Sequence, residues 1–474
     1  MPNTSSSKTS DHFDLVVIGA GSAGFSAAIT AAEEGKRAAL IGFGTIGGTC
    51  VNVGCVPSKT MIRAGEALHG ARAASRFRGL TGSAKLENWS SLIAHKDELV
   101  GELRQKKYID LLSEYEGVEY IEGQAQLVEG GVQVGEQLLA TDRIVIATGA
   151  ASSIPDIAGL ADTPYLTSTT ALELDVLPRS MIVIGGGYIG CELAQMFSRS
   201  GTQVTLVTRS RMLPEVEPEI SKELTDYLQS EGVTVRHDLA YVSADKTNDG
   251  FSLCISTESG DETLRAEKLL VTTGRTPNSR TLGLDALGVE TLPNGGISVD
   301  ANMQTNLPGI YAAGDVTGRD QFVYMAAYGG KIAAKNAINV GTQTYTNAAM
   351  PWVVFTDPQI AGAGLSESQA KLAGHSVKTS IAPLELVPRA LAARDTRGLI
   401  KLVADADTDE LLGAQIMAPE GSDSIQTIVL ALKFGMKTVE LAETIFPYLT
   451  TVEGLKLAAQ GFNKDVTKLS CCGG

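Results

Sequence analysis

No uninterrupted apolar stretch in this 474-residue chain approaches the ~18–20 residues that a bilayer-spanning helix needs, so a transmembrane reading fails. A secretory leader is missing as well. Met1 to His12 are polar and Ser/Thr-rich with no apolar centre, and they are expected to be a frayed start on a cytoplasmic protein. Basic charge is in deficit: 39 Lys plus Arg stand against 54 Asp plus Glu, for a net charge of −15. Such a surface repels polyanions and argues against nucleic acid as a partner. Aromatic residues make up only 5%, histidines number five, and the six cysteines are too few in so long a chain for a secreted disulfide scaffold. What the chain does have is length for roughly three domains at ~100–200 residues each, and 51 glycines.

Many of those glycines fall into a pattern. An apolar run, Asp14 to Ile18, leads straight into Gly19-Ala-Gly21-Ser-Ala-Gly24, then an Ala-rich stretch that predicts a helix over Phe25–Glu34 and a second strand over Gly35–Ile41. Strand, G-x-G-x-x-G turn and helix form a dinucleotide-binding unit. The glycines let the turn close and a pyrophosphate approach, and the helix N-terminus faces its negative charge. The pattern recurs where Met181 to Ile184 precedes Gly185-Gly-Gly187-Tyr-Ile-Gly190, with a helix expected over Cys191–Ser200 and a strand over Gln203–Val207. Two cradles mean two dinucleotides, or a duplication with one dead site.

Two further apolar runs end in Ile146-Ala-Thr148-Gly149 and Val271-Thr-Thr-Gly274-Arg275, as expected where a chain crosses between nucleotide-binding domains. Thr305 to Asp315 reads as a strand ending in Gly-Asp, whose carboxylate can accept hydrogen bonds from sugar-alcohol hydroxyls. From about Asn347 the nucleotide motifs stop. Short alternating segments (Trp352–Phe355, Leu411–Met417) and a helix over Ser424–Phe434 predict an α+β domain.

The cysteines carry the chemistry. Cys50 and Cys55 lie in Gly47-Gly-Thr-Cys50-Val-Asn-Val-Gly-Cys55-Val-Pro-Ser-Lys59, where a bent chain or a helix start can bring two thiols together. A helix N-terminus there favours the reactive thiolate. Cys471 and Cys472 are adjacent on a Gly-ended tail, and two neighbouring soft thiolates suit a soft, thiophilic cation. Cys191 and Cys254 stand alone and read as small buried hydrophobes.

The motif G-G-T-C-x-N-x-G-C-x-P-S-K, the two glycine turns, the A-T-G segment and the Gly-Asp strand, in this order, resemble the FAD-dependent pyridine nucleotide–disulfide oxidoreductases from about residue 13 to the C-terminus. That resemblance implies an α/β protein with two Rossmann-like dinucleotide-binding domains in the glutathione-reductase-like arrangement and a C-terminal α+β dimerisation domain. The boundaries it implies are a tail over 1–12, an FAD domain over 13–157 and 275–346, an NADPH domain over 158–274, and a dimerisation domain with its tail over 347–474. It implies FAD and NADPH as cofactors and a homodimer with shared active sites. Cys50 becomes the interchange thiol and Cys55 the thiol against the flavin, with Lys59 and Glu192 paired near flavin N5 and Tyr188 as a lid over the nicotinamide pocket. The cofactor contacts it implies are Gly19, Gly21, Gly24, Gly44, Thr49, Lys59, Ala125, Thr148, Gly149, Gly185, Gly187, Tyr188, Ile189, Glu192, Arg209, Arg211, Gly274, Asp315 and Val323.

The C-terminus separates the branches of the family. Members that exchange thiols carry His-Pro-Thr-x-x-Glu, whose His–Glu pair protonates a leaving thiolate. Here the segment is Tyr448-Leu-Thr450-Thr-Val-Glu453, and none of the five histidines is nearby. A phenol with a pKa near ~10 is a poor base at neutral pH but a good hydrogen-bond donor. Tyrosine for histidine together with the Cys471–Cys472 tail resembles the members that reduce Hg(II). The tail would collect the metal as a thiol complex and pass it to Cys50 and Cys55, with Tyr448 on the path; the metal-ligating residues would be those four cysteines. A thioredoxin-reductase-like enzyme is the nearest alternative, and a soft-metal-binding flavoprotein without turnover is a second.

Eighteen residues past Gly190, where an NAD enzyme places an acid, stands Thr208, followed by Arg209 and Arg211, which suit a 2′-phosphate and favour NADPH. At the equivalent place in the first cradle stands Gly42, where the family has a glutamate for the adenosine ribose. Many Hg(II)-reducing members also carry an N-terminal metal-binding domain. Since this chain opens close to the first cradle, delivery of the metal is expected to rest on the tail pair.

Overall fold

The structure, a computed structural model, describes residues 12–339 and 341–468. Cys471 and Cys472 lie outside the described residues. The chain divides into two compact units, one of Met1–Ser58, Ala94–Ser153 and Arg275–Thr346, the other of Lys59–Ile93, Ile154–Gly274 and Asn347–Gly474.

The first unit is built on a five-stranded parallel sheet in the order Ile310–Ala312, Ile144–Ile146, Leu15–Ile18, Ala38–Gly42, Val118–Glu122. Leu15–Ile18 is buried at every position, because both faces of a parallel sheet are covered. Leu15 and Val17 face one core with Leu40, under helices Ser22–Glu33 and Val323–Ala337. Val16 and Ile18 face the other, against the three-stranded antiparallel sheet Ala125–Val128, Gly131–Val134 and Gln137–Ala140. The two helices cross closely because residue 330 is glycine: a Cβ there would overlap the Ala23 carbonyl. His12, counted with the tail from sequence, makes a bridge to Ala140.

The second unit repeats this plan. A four-stranded parallel sheet runs in the order Thr234–Arg236, Gln203–Val207, Ser180–Ile184, Lys268–Val271. Met181 and Val183 point into one core, Ile182 and Ile184 into the other, which is closed by the antiparallel strands Ala240–Thr247, Gly250–Thr257 and Gly260–Ala266. In both units the first strand lies between its successor and a later strand. That is the switch point at whose carboxyl ends ligands bind in open α/β sheets.

The second unit also carries a five-stranded antiparallel sheet, Pro351–Val354, Gln359–Gly364, Leu411–Ala418, Leu399–Asp405 and Val377–Pro383, packed with helices Gly421–Lys433 and Glu453–Gln460. Where glycine turns open the helices, observed and expected starts differ. The helices begin at Ser22 and Tyr188, inside the motifs, because the turn glycines at 21 and 187 already serve as their N-caps. No helix among the described residues is long and apolar enough to cross a membrane.

Candidate active site

The first cradle has the shape a pyrophosphate needs. Gly19 has φ +115°, and a side chain there would run into the Ala147 carbonyl; a Cβ on Gly24 would overlap the Gly19 carbonyl. The turn is thus closed by glycine–backbone contact, while Gly21 keeps open space, with Gly48 Cα 3.6 Å from its would-be Cβ. Helix Ser22–Glu33 follows with no acid in its first turn and no side-chain cap, so its amide N–H groups face outward for an anion. Thr148 and Gly149 are pinned by Asn278, whose side chain donates to the Thr148 carbonyl (3.0 Å) and whose N–H donates to the Gly149 carbonyl (2.9 Å). Asp315 sits in the turn Gly314–Thr317 beside Arg275 (3.5 Å). Burial raises its carboxyl above the usual range and Arg275 partly counters this. The Arg275 guanidinium also bonds the Ala150 carbonyl. Ala125 is buried at the head of a strand of alternating burial and Val323 opens a 15-residue helix, while Gly44 and Thr49 are exposed around the thiol segment. These residues fit a dinucleotide lying across the carboxyl end of the sheet.

The thiol segment leans on this cradle. A Cβ on Gly48 would lie 2.6 Å from Gly21 Cα, so only glycine allows the segment against the turn. Cys50 lies in the short helix Gly48–Asn52, and Cys55 is the first residue of helix Cys55–Arg72; both are half-buried. The amino end of an 18-residue helix favours an anionic sulfur at Cys55.

Two residues that sequence reasoning passed over hold the segment. Asn52 donates to the Ile46 and Gly48 carbonyls (2.8 and 2.9 Å) and accepts from Arg104 (3.1 Å). Tyr108 stacks edge-on to Phe25 at 4.9 Å and lies over Gly47. Burial raises its phenol pKa, a hydrogen bond with Ser22 opposes this, and Cys50 and Cys55 add to the rise. The spacing of 108 from 50 carries no signal, and only the fold brings them together.

The second unit holds the other cradle. Gly185 has φ +113° against the Thr272 carbonyl, a Cβ on Gly190 would overlap the Gly185 carbonyl, and Gly187 faces open space. Tyr188 and Ile189 open the 13-residue helix Tyr188–Ser200. Tyr188 packs on Trp352 (5.7 Å between ring centroids), and burial pushes its phenol well up, with Glu215 adding to it. Trp352 can lie there because its register partner is Gly362, whose Cβ would strike the indole. Glu192 is 5% exposed and satisfied at both oxygens: one accepts from Lys59 Nζ and the other from the Phe355 N–H, each at 2.8 Å. The Lys59 ammonium also rests 4.8 Å over the Phe355 ring. Phe355 was read from sequence only as part of a strand. Cys191 is buried and its thiol pushed up by desolvation chiefly and by Glu192, which makes it inert as expected.

Beyond the strand Gln203–Val207, the two arginines differ. Arg211 donates to the carbonyls of Leu213 (3.4 Å) and Pro214 (2.6 Å), so it braces its own loop. Arg209 is exposed at the strand's end. Gly274 closes the second unit's last parallel strand with φ +115°. Near the C-terminus Tyr448 is 50% exposed, and Glu453 accepts from the Leu449 N–H (3.1 Å), with Leu449 at φ +60°. That glutamate supports the turn at the head of helix Glu453–Gln460.

Residues 13–339 match the model of the pyridine nucleotide-disulphide oxidoreductases, and residues 350–459 match the dimerisation domain of the same family. The chain is 46% identical over 466 residues to the mercuric reductase of Lysinibacillus sphaericus, covering 98% of this chain and 85% of that protein. It is 44% identical over 468 residues to the mercuric reductase of Streptomyces lividans, covering 98% of both. Among solved structures, the HOCl-induced flavoprotein disulfide reductase RclA from Escherichia coli superposes with a TM-score of 0.83 at 28% identity, over 94% of this chain and 99% of that one.

Proposed function

The chain belongs to the pyridine nucleotide–disulphide oxidoreductase family, with FAD and NADPH as its cofactors, and on that premise we propose that it reduces Hg(II) to Hg(0). The overall reaction would balance as NADPH plus Hg(II) giving NADP⁺, Hg(0) and one proton. Bound FAD would supply the two-electron relay between nicotinamide and sulfur.

The chain's own residues do the rest. Gly19, Gly21 and Gly24 would admit one pyrophosphate to the amides of Ser22–Glu33; Gly185, Gly187 and Gly190 would admit the other. Arg209 would meet the 2′-phosphate. Glu192, anchored at both oxygens, fixes the Lys59 ammonium as a placed positive charge. Cys50 and Cys55 hold Hg(II) as a two-thiolate complex. Each incoming thiolate displaces an outgoing one, so the ion is never free. Cys471 and Cys472 would capture it first and hand it inward past Tyr448.

The observation that carries this reading is Tyr448. Thiol exchange requires an acid–base group to protonate a leaving thiolate, and this site has a phenol, with Glu453 turned to the Leu449 N–H. Metal reduction has no such need. The dimerisation domain gives a homodimer, and Ile445 (94% exposed) and Phe434 (76%) supply apolar surface for pairing. In the shared site proposed here, residue 448 and the tail of one subunit serve the cysteines of the other. The deciding measurement is Hg(II)-dependent NADPH oxidation with mercury vapour trapped from the headspace. Consumption that stops at one NADPH per Hg(II)-binding site, or faster turnover with a disulfide than with Hg(II), would overturn the proposal.

A further inference from the structure

In a dinucleotide fold an acidic side chain near the end of the second strand accepts hydrogen bonds from the ribose hydroxyls. In the first cradle that strand is Ala38–Gly42, and its last residue has no side chain. Space is not left vacant there. Gly42 is buried, and a Cβ on it would overlap the Tyr120 hydroxyl and lie 2.7 Å from Tyr120 Cε2.

Tyr120 belongs to the neighbouring parallel strand Val118–Glu122, in register with Leu40, while Gly42 is in register with Glu122. The phenol therefore reaches diagonally along the sheet to its carboxyl edge, where the nucleotide would lie. Its ring packs on the core shared by Leu40 and Phe25. Among the described residues its hydroxyl has no hydrogen-bond partner. A half-buried phenol that finds no protein partner is suited to a ligand or a bound water. Burial, with Glu122 adding to it, raises the phenol's pKa, so the group stays protonated and can both donate and accept.

We propose that the Tyr120 hydroxyl, presented over Gly42, anchors the adenosine ribose of FAD, directly or across one water, in place of the carboxylate such folds carry on the second strand. The absent side chain at 42 is what lets the phenol reach the edge. Tyr120 thereby becomes a cofactor-binding residue of this chain, resting on the reading that the first cradle takes FAD.

The test compares the full-length protein with Tyr120→Phe, which keeps the ring that fills the space beside Gly42 and removes only the oxygen. FAD release from the purified holoprotein on dilution is followed by the rise in flavin fluorescence, and FMN, which lacks the adenosine, is bound to the flavin-free full chain as the reference. The expected result is FAD released about two- to tenfold faster, the range of one neutral hydrogen bond, with FMN affinity unchanged. Unchanged FAD release overturns the proposal, and so does an equal loss for FMN, which would make the hydroxyl a purely structural group. Glu122→Gln should leave FAD release at the wild-type rate; if it alone reproduces the loss, the ribose hangs on Glu122 and the proposal is wrong. Wild-type protein that takes up no FAD would instead remove the cradle reading itself.

Discussion

At the scale of single residues, the two inner cysteines are expected to differ in their partners. Cys55 opens its helix and Cys50 sits in the turn before it. In the two-electron-reduced protein, Cys55→Ala should abolish the long-wavelength absorption band between thiolate and flavin, whereas Cys50→Ala should leave or enhance it; the reverse pattern would exchange the assigned roles. Tyr448→Phe should lower Hg(II) turnover ~10-fold, which the loss of one hydrogen bond to a charged group (~1.5–3 kcal/mol) permits. Flavin reduction by NADPH should stay near wild type in the same variant. Stopped-flow separation of the half-reactions checks this, and equal slowing of both would make Tyr448 structural. Cys50, Cys55 and Lys59 were legible because their spacing is local. Tyr108 and Phe355 were not, since what places them is tertiary contact with Gly47 in one case and with Glu192 and Lys59 in the other.

At the scale of elements, both glycine turns were legible because strand, turn and helix are contiguous in sequence. The three-stranded sheets that close the second face of each parallel sheet were not foreseen: Ala125–Val128 is only four residues long, and the alternation of Phe251, Leu253 and Ile255 in Gly250–Thr257 carries no motif to say where that strand pairs. The strand Gln203–Val207 offers a test of how an element's end selects its ligand. From spacing alone Arg209 and Arg211 looked equivalent, but Arg211 is spent on the Leu213 and Pro214 carbonyls. Arg209→Ala should therefore erode a preference for NADPH over NADH that is at least ~10-fold, mainly through KM for NADPH, given ~1.5–3 kcal/mol per charge-assisted bond. Arg211→Ala should instead lower thermal stability with the preference retained. Steady-state kinetics with both nucleotides, beside melting curves, separate the two. An unchanged ratio in Arg209→Ala would move the phosphate site elsewhere.

At the scale of the whole molecule, the duplicated plan and the C-terminal domain were readable from where the nucleotide motifs stop. What pairs with the C-terminal domain could not be read from one chain's local signals. If sites are shared, mixing a Cys50→Ala, Cys55→Ala protein with a Cys471→Ala, Cys472→Ala protein should form heterodimers with one intact site, and turnover with Hg(II) presented as a bulky thiol complex should return. Mixtures that regain nothing would mean each subunit works alone. The Tyr188–Trp352 stack has a further use. The chain has two tryptophans, and the other, Trp89, is buried with its indole N–H bonded to the Leu174 carbonyl at 2.6 Å. One indole is thus shielded, while its counterpart packs on Tyr188, the residue expected to cover the nicotinamide pocket. Ultraviolet-excited emission should then shift on titration with NADP⁺ in the wild type and not in Trp352→Phe, giving the protein an intrinsic optical gauge of how full its nucleotide pocket is.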